Sequence, residues 1–147
     1  MKEIFDKRHA VTSFFLLVTG FVFLLMLITT GINFDRVKTL FQFGAMYGPI
    51  IRLFPEQLWR LFSAIFVHIG WEHFIVNMLS LYFLGGQVEE IFGSKQFFFL
   101  YLLSGMMGNL FVFAFTPKVL AAGASTSLYG LFAAIIVLRY ATRSPYI

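Results

Sequence analysis

The feature that most constrains this chain is a long uncharged stretch near its N-terminus. No side chain from position 10 to position 34 carries a formal charge, and about 20 apolar residues suffice for an α-helix to cross the ~30 Å hydrocarbon layer of a membrane. Lys2, Lys7 and Arg8 precede this stretch, as basic residues also precede a secretory signal peptide. A signal peptide has a shorter apolar region of about 7–15 residues and a small-residue cleavage site, so we interpret the stretch as a retained membrane helix.

The composition extends this interpretation to the whole chain. Hydrophobic residues make up 59% of the sequence and charged residues 12%, whereas charged residues are roughly a quarter of a soluble protein. The net charge of +4 comes from scattered lysines and arginines that form no basic cluster, which argues against nucleic-acid binding and for membrane flanks. The absence of cysteine excludes a disulfide framework, a thiolate metal site and a cysteine nucleophile.

Three further apolar stretches predict three more membrane helices, so the expected fold class is an all-α, polytopic transmembrane helix bundle. Gly48-Pro49 and Pro55 interrupt any long helix between the first two spans, and the aromatic and basic residues there favour a loop in the membrane interface. The predicted membrane domain covers residues 10–138, with spans at about 10–32, 63–88, 96–115 and 119–138, an interfacial loop at 33–62, an N-terminal tail at 1–9 and a C-terminal end at 139–147.

The distribution of basic residues predicts the orientation of this bundle. Lys2, Lys7 and Arg8 lie directly before the first span, and the first span usually dominates the positive-inside rule. We therefore expect the N-terminus and the C-terminal end in the cytoplasm. The expected location is a plasma membrane of the bacterial type.

Polar residues within the predicted second span are candidates for function, because polar groups are costly in hydrocarbon. His73 and Asn77 are four residues apart and would share one helix face; they could serve a site or only hydrogen-bond neighbouring helices. His68, Glu72 and His73 could also suggest zinc. On one helix, a spacing of five would turn the two histidines ~140° apart, so we expect no metal site.

A serine-rich segment opens the predicted fourth span. Ser125 would lie at the N-terminus of a helix, where unpaired backbone N–H groups can stabilise an oxyanion. It is a candidate nucleophile, although a lone serine there is more often a helix cap or a packing residue. Small residues recur at a spacing of four, three and four: Gly123, Ser127, Gly130 and Ala134. Such a row would let another helix approach closely.

Several motifs, in order and spacing, resemble the rhomboid family of intramembrane serine proteases. The resemblance covers residues 43–138. The matching motifs are Trp59-Arg60, His68-x4-His73-x3-Asn77, Gly85-Gly86-x2-Glu89, Gly105-x2-Gly108-Asn109 and Gly123-Ala124-Ser125 with Tyr129-Gly130.

The resemblance implies a fold, a reaction and roles for individual residues. The fold would be a six-span core of which four spans are present. Ser125 would be the nucleophile, and His73 and Asn77 would join the Ser125 backbone N–H in an oxyanion hole. Trp59, Arg60, His68 and Glu89 would hold loop and helix ends. The reaction would be hydrolysis of a peptide bond in or beside the transmembrane segment of a substrate protein in the lipid bilayer, with no metal or cofactor.

The sequence departs from the family in two ways. Thr126 occupies the position of the second glycine in the usual G-x-S-G motif. The family's general base is a histidine on the sixth span, and no histidine follows His73. We therefore expect a truncated chain that is inactive alone. Two alternatives stay open: an inactive rhomboid-like protein that binds transmembrane helices, and an unrelated structural or transporter fragment.

Overall fold

The chain forms a bundle of α-helices in a computed structural model that describes residues 7–143 and residue 145. The helices are α1 (Ala10–Thr30), α2 (Val37–Gln42), α3 (Gly48–Leu53), α4 (Arg60–Ser63), α5 (Gly70–Ser80), α6 (Gly86–Phe92), α7 (Ser94–Phe115) and α8 (Ser125–Thr142). Short 3₁₀ helices occupy Lys7–His9, Gly31–Asn33, Pro55–Trp59 and Ala64–Phe66, and a π-helical turn at Leu81–Gly85 joins α5 to α6. Strands β1 (Met46–Tyr47) and β2 (Leu120–Ala121) form one antiparallel pair.

Three helical segments are long and apolar enough to cross a membrane: Lys7–Asn33, Ser94–Phe115 and Ser125–Thr142. A fourth crossing arises if Pro55–Phe66 and Gly70–Phe92, which meet at a bend of 75°, form one broken span. The expected all-α polytopic membrane fold is thereby confirmed. Large apolar side chains are exposed along these helices, as they are where a helix faces lipid.

Two of the predicted spans begin later than the sequence suggested. The continuous helix of the second span starts at Gly70 rather than near Ser63, because the chain is extended at Val67 before it. Helix α8 starts at Ser125 rather than near position 119, because Leu120–Ala121 pairs with β1. Apolar composition alone does not distinguish such an apolar strand or turn from the helix that follows it.

Helices α7 and α8 pack closely along a row of small residues. Gly105 faces Ser127 and Gly130 faces Ser104, in each case so near that an added Cβ would overlap the facing side chain. The Ser127 hydroxyl is buried and donates to the Tyr101 carbonyl at 2.7 Å. Small residues and a hydroxyl bond therefore hold the two helices together, as is common inside membranes.

A buried arginine fixes the loop that follows α1. Arg60 donates from Nη1 to the carbonyls of Phe41 (2.5 Å) and Ala45 (2.9 Å) and from Nε to Gln57 (2.7 Å). Its guanidinium also lies 3.5 Å from the centre of the Phe41 ring and 4.5 Å from that of Trp59. A planar group with several donors suits such a combination of bonding and stacking.

A buried carboxylate on α6 caps the start of α1. Glu89 accepts from the backbone N–H groups of Val11 and Thr12 and from the Thr12 hydroxyl, at 2.7–2.8 Å, and also from the Ser94 hydroxyl at 2.7 Å. The first N–H groups of a helix have no partner within the helix, and a negative charge there is favourable. Glu89 thus joins the beginning of α1 to the junction of α6 and α7.

Candidate active site

Ser125 is the first residue of α8, and two hydrogen bonds donated by backbone amides hold the loop before it. The Gly123 N–H donates to the Ala64 carbonyl at 2.7 Å, and the Ala124 N–H donates to Nε2 of His68 at 3.2 Å. The Ser125 amide opens the helix and has no acceptor within it. Of these three successive amides, Ser125 therefore offers the donor that an oxyanion can use.

His73 and Asn77 on α5 converge on the Ser125 side chain. Nε2 of His73 and Nδ2 of Asn77 each lie 3.4 Å from Oγ of Ser125. These distances are long for hydrogen bonds to a hydroxyl, as is common at sites without substrate. The sequence placed both residues on one helix face, and the structure brings both to the same serine across about 50 residues of chain.

The hydrogen bond to Nδ1 of His73 decides which nitrogen of the neutral ring carries the hydrogen. The backbone N–H of Ile69 donates to Nδ1 at 3.1 Å, and a backbone amide can only donate. Nδ1 is therefore an acceptor, and in the neutral ring the hydrogen resides on Nε2, which faces Ser125. In this arrangement His73 is a hydrogen-bond donor to the serine and not an acceptor for its proton.

His68 supports the site without contacting Ser125. It is 1% exposed, and its ring centre lies 5.0 Å from that of His73. The sequence argument that placed the two histidines ~140° apart on one helix was wrong, because α5 begins at Gly70 and His68 precedes it. Each ring has one nitrogen that accepts from a backbone amide, Ala124 for His68 and Ile69 for His73. In the described part of the chain, no three His, Cys, Asp or Glu side chains form a metal-binding group.

Thr126 points away from the site, toward α7. Its hydroxyl donates to the Gly105 carbonyl at 3.3 Å, and its Cβ and Cγ2 lie where a side chain on Gly108 would be. The β-branched residue that replaces the family's glycine is thus accommodated by the glycine opposite it. The sequence signal was present in the Gly105-x2-Gly108 motif, but only the packing shows which residue each glycine accommodates.

An open cleft extends from Ser125 between the second span and α8. Its volume is about 350 Å³. Asn77 and Ser125 provide polar groups, and the remaining lining is mostly apolar: Val76, Ser80, Leu84, Leu128, Tyr129 and Phe132. Sequence reasoning missed this cleft and also the Ala64 and Ile69 backbone groups, since backbone donors and acceptors leave no signature in residue types.

The helices and their exposed apolar faces define a polytopic α-helical membrane protein. A family model for the Rhomboid domain matches residues 55–147. Rhomboid protease GluP of Bacillus subtilis (strain 168) is 32% identical over 142 residues, which are 97% of this chain and 27% of that protein. The chain belongs to the rhomboid family.

Other relatives differ in what their names say about activity. RHOMBOID-like protein 1 of Arabidopsis thaliana is 37% identical over 98 residues, which are 67% of this chain and 25% of that protein. Inactive RHOMBOID-like protein 8 of the same plant is 31% identical over 81 residues, 55% of this chain and 23% of that protein. The chain spans about a quarter of the length of these relatives.

Proposed function

We propose that this chain carries the nucleophile and the oxyanion hole of an intramembrane serine endopeptidase, which cleaves peptide bonds in or near transmembrane segments of membrane proteins. The observation that carries the proposal is the convergence of His73 Nε2 and Asn77 Nδ2 on Ser125 Oγ, each at 3.4 Å. Polar residues whose only role was hydrogen bonding between helices would not be expected to converge on one serine at a helix N-terminus. Membership of a family that includes a named protease adds independent support.

In this proposal, Ser125 Oγ attacks the carbonyl carbon of the scissile bond while its proton passes to a general base. The carbonyl π electrons move to the oxygen, and the N–H groups of His73, Asn77 and the Ser125 backbone stabilise the resulting oxyanion. Collapse of this intermediate breaks the C–N bond, and the leaving amine takes the proton from the base. Water then hydrolyses the acyl-serine. Such donors typically contribute about 10²–10³ in rate each.

We further propose that the general base is a histidine outside residues 1–147. The sequence contains three histidines. His9 contacts Glu90 at 2.7 Å at the start of α1, His68 accepts from Ala124, and His73 presents a donor to the serine. None of them is arranged to accept the serine proton, and loss of the base alone reduces serine protease activity by about 10⁶.

The alternative function is a rhomboid-like protein that binds transmembrane helices without cutting them. Two observations favour it: the three histidines are engaged as described, and one relative is named as inactive. In that case Ser125 would have a packing role, and the cleft beside it would receive a helix that is released intact.

A serine-reactive fluorophosphonate probe distinguishes the two proposals. The 147-residue chain and the longest natural form of the protein that contains it are each reconstituted in liposomes, with Ser125→Ala as the matched control. The protease proposal expects labelling of the long form at Ser125, loss of labelling in Ser125→Ala, and far slower labelling of the 147-residue chain. If the long form stays unlabelled while a photoactivatable transmembrane peptide crosslinks beside Ser125, the binding function replaces it.

A further inference from the structure

A second pocket lies between α2 and the β1–β2 pair. Its volume is about 690 Å³, and Phe41, Tyr47 and Leu120 form part of its apolar wall. Lys38 on α2 and Lys118, in the segment between α7 and β2, also line it. Both lysines are exposed. The pocket thus combines an apolar interior with two ammonium groups that come from segments 80 residues apart in the chain.

The charge of this pocket comes from its two lysine side chains. Neither Lys38 nor Lys118 has a carboxylate within 4.0 Å in the described part of the chain, where the ion pairs are those of Glu90. A pocket lined by apolar rings and unpaired cations is complementary to a ligand that is anionic at one end and apolar at the other.

The position of the pocket indicates where such a ligand would come from. Lys38 follows the end of the first span, which reaches Asn33, and Lys118 follows the end of α7 at Phe115. Both ammonium groups therefore belong to segments at a membrane–water interface, at the depth of lipid headgroups. Tyrosine and basic residues concentrate at this depth.

We propose that this pocket binds the phosphate of an anionic phospholipid, such as phosphatidylglycerol, between Lys38 and Lys118, with the glycerol and the upper acyl chain against Phe41 and Tyr47. A lipid fits better than an acidic peptide, because its acyl chain continues into the apolar wall. The proposal is independent of proteolysis. A lipid held by both lysines would also connect α2 to the segment before β2. Ser125 follows β2 within five residues. A bound lipid would therefore stabilise the strand pair that precedes Ser125.

The test is lipid retention by the 147-residue chain, measured by native mass spectrometry from neutral detergent after equilibration with phosphatidylglycerol. The wild-type chain should retain one phosphatidylglycerol molecule in preference to phosphatidylcholine. Lys38→Gln with Lys118→Gln should weaken retention about 25-fold, since each cation near a lipid surface contributes about fivefold. Lys38→Arg with Lys118→Arg should preserve it, and Lys95→Gln with Arg139→Gln removes the same charge elsewhere as a control.

Competitors identify the source of the bound phosphate. Inorganic phosphate and glycerol 3-phosphate should displace the lipid only weakly, because they lack the acyl chain. Equal retention by the wild-type chain and the doubly neutralised variant would overturn the proposal. Displacement by the soluble phosphates at the lipid's own concentration, or preferential displacement by a soluble acidic peptide, would overturn it in favour of a different ligand.

Discussion

Gly123 lies directly against the imidazole of His73. A methyl group added to Gly123 would be 2.5 Å from Cε1 and 2.7 Å from Nε2 of that ring. The backbone of Gly123 also has φ = +112°, a conformation that residues with a side chain rarely adopt. The missing side chain at position 123 therefore allows His73 to reach Ser125.

Replacing Gly123 with alanine should damage the site more than the fold. The Gly123→Ala methyl group must displace the His73 ring, and the strained backbone should lower the free energy of unfolding by about 1–3 kcal/mol. Probe labelling of Ser125 in the long form and unfolding in SDS–detergent mixtures measure the two effects. Gly20→Ala is the control, because a Cβ there would have no atom within 4 Å apart from its chain neighbours and the backbone of its own helix. Similar labelling of both variants would contradict the role assigned to Gly123.

Removing the charge of Glu89 should loosen the start of α1. Glu89→Gln retains the size of the side chain but replaces one acceptor oxygen with a donor, which would face a backbone N–H or hydroxyl that also donates. Because Glu89 is 2% exposed, we expect a loss of about 2–3 kcal/mol in the free energy of unfolding.

The neighbouring carboxylate provides the control for this change. Glu90 is 44% exposed and pairs with His9 and Arg8, so Glu90→Gln should cost less than about 1 kcal/mol. Equal destabilisation by the two substitutions would mean that Glu89 does not cap α1 in the way described.

The Thr126–Gly108 contact predicts coupling between α7 and α8. A Cβ on Gly108 would lie 2.6 Å from Cβ of Thr126, so Gly108→Ala should destabilise the protein by about 1–3 kcal/mol. In a Thr126→Gly background the same change should cost almost nothing, which a double-mutant cycle of unfolding free energies would register as strong coupling. Additive effects would refute the contact. Thr126→Gly itself should keep Ser125 reactive, because the Thr126 side chain points away from the site.

Replacing Arg60 with lysine should lower the free energy of unfolding. The Arg60→Lys variant loses the Nε bond to Gln57 and the stacking on Phe41, and a single ammonium serves the two carbonyls less well. We expect a loss of about 1–3 kcal/mol and faster proteolysis within residues 37–47. Arg52→Lys changes an exposed arginine in the same region, so its unfolding free energy and its rate of proteolysis should stay near the wild-type values. If Arg60→Lys left residues 37–47 as resistant to proteolysis as in the wild type, the anchoring role would be contradicted.

The features that could be predicted from the sequence depend on local periodicity. Uncharged length predicted α1 and α7 closely, and a spacing of four placed His73 and Asn77 on one face. The position of Ser125 at the start of a helix followed from the segment that opens the fourth span. Each of these features depends on residues within a few turns of one another.

The features that could not be predicted depend on contacts distant in sequence. Glu89 caps a helix that begins 79 residues earlier. Strand β1 at Met46–Tyr47 pairs with β2 at Leu120–Ala121, which is similarly distant in sequence. His68 illustrates the same limit, since its relation to His73 was inferred from a helix that begins only after it. Apolar patterning reveals burial or lipid exposure, but not which buried groups meet.

The most direct test of the central claim is the cleavage of a single-span model substrate in liposomes by the longest natural form of the protein. Ser125→Ala should abolish cleavage, and His73→Ala or Asn77→Ala should each slow it by about 10²–10³. Ser127→Ala is the control, because Ser127 lies in the same helical turn but bonds to α7. The folded Ser127→Ala variant should cleave the substrate at a rate within a few-fold of wild type. Cleavage by Ser125→Ala at the wild-type rate would contradict the assignment of Ser125 as the nucleophile.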